Sequence, residues 1–76
     1  MRLVGCRLKE TEFEGKKYEK YECHCVDDRP LKGFEGSRVY VYDVRPTILE
    51  PDFAFEIGKN YDFVADDGKI TAVFEA

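Results

Sequence analysis

No stretch of this chain repeats its apolar residues every 3.6 positions, so no amphipathic helix is expected anywhere in it. It also lacks an N-terminal apolar run of signal-peptide length and any apolar segment long enough to cross a bilayer; a cytoplasmic protein with no membrane partner is expected. Histidine occurs once and cysteine three times, an odd number that speaks against a secreted disulfide scaffold. There is no phosphate-binding glycine loop, no dinucleotide fingerprint and no nucleophile set beside the single histidine. The expectation is a protein that is not an enzyme and needs no cofactor. Basic residues are scarce too, 12 against 16 acidic. A protein that grips nucleic-acid backbone over its whole surface would be basic overall. Any such site here must be a local patch, and the N-terminal half is where it would lie. Residues 1–42 hold 9 basic and 8 acidic side chains, residues 43–76 only 3 and 8.

What the chain does have is period-two alternation, with 43% apolar and 14% aromatic residues. Its 76 residues make a single domain, 1–76. A chain this short buries only roughly 60% of its unfolded surface, so a disulfide, a metal or a partner subunit would be a welcome supplement to its core. Five strands are expected, over 2–11, 17–26, 37–44, 59–65 and 69–75. Asp27 to Glu35 reads as a loop, and Pro46 and Pro51 exclude a central strand over 45–52, where one helical turn at Ile48–Leu49 fits. Asp67-Gly68 is a two-residue hairpin loop; it sets Ala65 opposite Ile70, Phe63 opposite Ala72 and Tyr61 opposite Phe74, all on one face. Closure into a small all-β barrel, OB-like or alternatively SH3-like, would remove exposed strand edges.

The stretch Cys23-His24-Cys25 suggests a metal site until its geometry is worked out. On a strand the two thiols share one face and the imidazole takes the other, so three ligands cannot meet one ion. No metal is expected. Val4, Cys6 and Leu8 form the inward face of strand one and Leu3, Arg7 and Lys9 the outward face. Two hairpin registers are open. A turn at Gly15-Lys16 places Cys6 opposite Cys25 and Lys9 opposite Glu22. A turn at Glu14-Gly15 places Cys6 opposite Cys23 but Lys9 opposite Lys20. Like charges across a pair are unfavourable, which favours the first. In both, the three thiols are small buried hydrophobes, with a disulfide from Cys6 to Cys23 or Cys25 as the alternative in an oxidising setting.

Strand three, S-R-V-Y-V-Y-D-V, offers the more informative pattern. If Val39 and Val41 face the core, Arg38, Tyr40 and Tyr42 stand together outside, with Arg45 just beyond. Aromatic rings spaced by two and flanked by cations can stack unpaired bases while holding phosphates. Lys16, Lys17, Tyr18 and Lys20 on strand two extend the set. The same tyrosine face could instead be a homodimer or partner interface, as in an assembly protein, for example one from a mobile element.

The run E-G-K-K-Y at 14–18, C-V-D at 25–27, S-R-V-Y-V-Y at 37–42 and I-G-K-N-Y at 57–61 resembles, in order and spacing, the small single-stranded-DNA-binding proteins of filamentous phages. That resemblance implies a five-stranded, OB-related barrel acting as a dimer that coats replicating strands. It implies that Tyr18 is the aromatic of a binding wing with Lys16 or Lys17 beside it, and that Tyr40 or Tyr42 lies near the nucleic acid.

Overall fold

The first two strands are longer than their alternation suggested. The computed structural model describes all of residues 1–76. In it β1 (Arg2–Phe13) and β2 (Lys16–Asp27) form a hairpin of twelve-residue strands. β3 (Arg38–Val44) adds to β2, and β4 (Tyr61–Asp66) pairs with β5 (Lys69–Glu75). The result is a three-stranded sheet in the order β1-β2-β3 and a two-stranded one, every pairing antiparallel. The helical turn falls at Pro46–Ile48, where proline starts it without losing a needed donor. No helix is long and apolar enough to cross a membrane.

The sheets do not close into a barrel by a continuous ladder. On one side they are stitched by the chain's first residues. The Leu3 amide donates to the Lys59 carbonyl at 2.9 Å, the Gly58 amide to Leu3 at 2.8 Å and the Tyr61 amide to Met1 at 2.8 Å. The Met1 ammonium returns a bond to the Tyr61 carbonyl at 2.9 Å. On the other side β3 ends before Pro46, which has no N–H to continue a ladder. There β3 and β5 meet through side chains, with Val44 and Ile70 in the common core.

That core is small: Leu3, Cys23, Cys25, Val44, Tyr61 and Ile70. Tyr61 is its largest member, with Phe53, Phe55 and Phe63 around it at centroid distances of 5.9, 5.4 and 6.5 Å. Its hydroxyl accepts the Glu56 amide at 2.9 Å.

Four expectations about faces and register are corrected. The hairpin turns at Glu14-Gly15, whose φ values of 51° and 76° are those of a two-residue primed turn, so Cys6 pairs with Cys23 and Lys9 with Lys20. The like-charge pair is tolerated because the third strand answers it: Lys9 Nζ lies 3.0 Å from Asp43 and 3.6 Å from Glu22, and its pKa is raised, foremost by the Asp43 hydrogen bond. A bulge between Leu3 and Gly5 turns Leu3 inward and leaves Val4 exposed, reversing their expected sides. A second irregularity, between Val64 and Ala65, keeps Ala65 opposite Ile70 but sets Phe63 opposite Val73 and Tyr61 opposite Glu75. Phe74 is consequently outside.

The fourth correction concerns β3, whose faces are inverted. Tyr42 pairs with buried Cys23 and Tyr40 with buried Cys25, whereas Val39 and Val41 are exposed. Buried Val44 shares the tyrosines' parity and the charged Asp43 shares the valines'. Those two end residues set which way the strand faces.

Acid should loosen this sheet toward both ends of the β2–β3 pairing. Asp27, 3% exposed, takes the Arg29 guanidinium at 2.9 and 2.8 Å and the Arg29 amide at 3.1 Å, with Arg38 Nη2 also at 3.1 Å. The Arg29 hydrogen bonds hold its carboxyl well below the usual range. Glu22, hydrogen-bonded first by His24 at 2.9 Å and then by Arg7, is lowered to about 2. Both pKa values are depressed in the folded state, so both contributions are complete above the unfolded carboxyl pKa of about 4 and are lost as pH falls below it. Thermal melts followed by circular dichroism should hold a constant Tm from pH 7 to 5 and drop steeply between pH 4 and 2. A flat profile down to pH 2 would contradict the assignment.

Candidate binding surface

β3 covers β2 only from Tyr21 to Asp27, so the hairpin from Lys9 and Lys20 outward projects as a two-stranded arm. At about 3.4 Å per residue it reaches roughly 17 Å past the sheet, and the molecule measures 46 × 27 × 22 Å. Cross-strand partners share a face, and successive pairs alternate. One face of the arm therefore carries Lys9, Thr11, Phe13, Lys16, Tyr18 and Lys20. The other carries Glu10, Glu12, Lys17 and Glu19. The ion pair between Lys17 and Glu10 at 3.5 Å lies within the second set, as this division requires.

The first face thus has cations and aromatic rings and no carboxylate. Phe13 is 65% exposed and Tyr18 46%, although nothing in a stable fold compels two rings to stand in water there. At the arm's base its basic side continues into a groove of about 280 Å³ lined by Lys20, Asp43, Arg45, Gly68, Lys69 and Ile70. Asp43 is already engaged by Lys9, and Lys20, Arg45 and Lys69 have no carboxylate within 4.0 Å. Arg45 follows the last β3 pair at the edge of β2. It also borders a second groove, of about 500 Å³, with Lys17 and Tyr18 and with the carboxylates of Glu10 and Glu19.

The eight residues singled out in the sequence are therefore divided. Lys16, Tyr18 and Lys20 share the arm's basic face, Arg45 joins Lys20 at its base, and Lys17 lies round the edge. Arg38, Tyr40 and Tyr42 lie on the inner side of the sheet. Arg38 is spent on Asp27, and its Nε is buried without a partner. Tyr42 is stacked between Tyr40, at 6.1 Å, and Phe63, at 4.6 Å, and burial raises its pKa. The strand instead presents Val39 and Val41 outward.

Two members of the surface were missed. Phe13 sits in a turn-flanking position that reads as loop, yet its pairing with Lys16 puts it on Tyr18's side. Lys69 is distant in sequence, and only the placement of the β4–β5 turn beside Arg45 brings it in. No group of histidine, cysteine and carboxylate side chains is arranged to hold a metal ion. Comparison with family models, curated proteins and solved structures returns no match to this chain.

Proposed function

We propose that this protein is a non-enzymatic small β module that binds single-stranded nucleic acid along the basic face of its β1–β2 arm. The observation that carries the reading is the segregation of charge on the arm: Lys16 and Lys20 with Phe13 and Tyr18 on one side, Glu10, Glu12 and Glu19 on the other. That segregation allows a chain of net charge −4 to offer a phosphate-binding strip. Phe13 and Tyr18 would stack unpaired bases, each contact contributing about 1–3 kcal/mol. Lys16, Lys20, Arg45 and Lys69 would hold the backbone. An OB-like, partly open barrel, with β1 stitched to β4 and β3 resting on β5, fits this use, as does the resemblance to the phage proteins in which Tyr18 occupies a wing. The rival, a homodimer or partner interface, is favoured only by the exposed Val39 and Val41, since Tyr42 is turned inward.

Fluorescence polarisation with a labelled oligonucleotide at several salt concentrations tests the proposal. With four phosphate contacts the slope of log K against log salt should be about −3, a loss of roughly fiftyfold between 50 and 200 mM. Absence of binding at low salt, or binding indifferent to salt, would reject it.

A further inference from the structure

Cys6 and Cys23 stand directly opposite each other on β1 and β2, with their Sγ atoms 3.8 Å apart. Opposed residues of an antiparallel pair have Cα atoms about 4.5 or 5.5 Å apart, both within the roughly 4.4–6.8 Å that a disulfide spans. Both spacings are compatible with a disulfide, and the sulfurs already face each other across the pair. Cys25 is differently placed, opposite Leu3. Cys6 is partly exposed, whereas Cys23 and Cys25 are fully buried. The pair lies inside the three-stranded sheet, short of the point where the arm leaves it, since Cys23 is also opposite Tyr42 on β3.

We propose that Cys6 and Cys23 are a redox-closable dithiol, forming a reversible disulfide between β1 and β2 inside the three-stranded sheet when a small-molecule disulfide is present. The accessible Cys6 sulfur, as thiolate, attacks one sulfur of the reagent. The reagent's S–S bond breaks, and its other half leaves as a thiolate that takes up a proton. Cys23 Sγ then gives up its proton and attacks the Cys6 sulfur of the mixed disulfide, expelling the second small thiol. The protein dithiol is oxidised by two electrons and the reagent is reduced to two thiols. The second step is the slow one: burial, then the neighbouring Cys6, pushes the Cys23 thiol far above its ordinary range, so its thiolate is scarce. Closure should accelerate as pH rises. The link joins residues 17 apart in sequence and ties strands that already pair. Closing a loop of that size in the unfolded chain should raise Tm by on the order of 10 °C.

The wild-type folded chain tests this directly. After incubation with oxidised glutathione, acid quenching and alkylation, mass spectrometry should show two hydrogens lost and a single alkylated thiol. Fragmentation of the linked peptide should place the bond at Cys6 and Cys23, with Cys25 alkylated. Reduction with dithiothreitol should restore three thiols and the original Tm, and Cys6→Ser should take up no glutathione. Glutathione remaining on Cys6, a bond to Cys25, a bond between two chains, or three untouched thiols would each overturn the proposal.

Discussion

Tyr61→Ala should leave the chain largely unfolded at room temperature, or lower its Tm by about 15–30 °C. Removing a large buried aromatic ring costs about 3–5 kcal/mol. A domain of this length has only about 4–11 kcal/mol of total stability, and one kcal/mol moves its Tm by about 4–8 °C. Tyr61 is 1% exposed and is the ring about which Phe53, Phe55 and Phe63 pack. The loss also reaches beyond packing. Residues Met1 and Tyr61 exchange two of the bonds that join the two sheets, so a collapsing β4 would loosen the start of β1. Tyr61→Phe isolates the hydroxyl, which accepts the Glu56 amide; its loss should cost about 1 kcal/mol, or about 5 °C. Circular dichroism melts of the two variants give the comparison. A Tyr61→Ala protein melting within a few degrees of wild type would mean that the core lies elsewhere.

The second large effect concerns binding without folding. Lys20→Glu with Arg45→Glu should weaken oligonucleotide binding about a hundredfold or more at low salt, because hydrogen bonds to charged groups contribute about 1.5–3 kcal/mol each. The salt slope should become shallower by about 1.4, the share of two lost phosphate contacts on single strands. Melting should barely change, since neither side chain has an ion pair to lose and Arg45 is exposed. Arg38→Glu is the informative contrast. It should damage the fold by confronting buried Asp27 with a second carboxylate, while the arm's basic face is untouched. If Lys20→Glu with Arg45→Glu binds as wild type does, the arm is not the nucleic-acid surface and the exposed valine strip becomes the surface to pursue.

Several features were legible before any fold was known. Alternation located five strands, Asp67-Gly68 marked a hairpin with Ala65 opposite Ile70, and the parity of Cys23, His24 and Cys25 correctly separated thiols from imidazole. Those features are local, decided by pleat and turn chemistry over a few residues. The misreadings came from interactions beyond that range. The Lys9–Lys20 pair looked prohibitive with two strands in view and is acceptable with Asp43 on the third. The bulge at Leu3 leaves no mark in the alternation, because it exists to bring Leu3 under the chain at Lys59. The inversion of β3 could have been read from Asp43 and Val44, one charged and one apolar, at the end of a strand whose middle alternates two equally plausible residues.

By itself, then, the sequence determined an all-β chain, the turn at Asp67-Gly68, the burial of Cys23 and Cys25 and the presence of Lys16, Tyr18 and Lys20 on one strand face. Tertiary structure alone decided which side of β3 is inside, which cysteines touch, and that Arg45 and Lys69 close on Lys20. Side-chain alternation states only that neighbours point opposite ways. Which way is inward is settled by what the rest of the chain lays against the sheet.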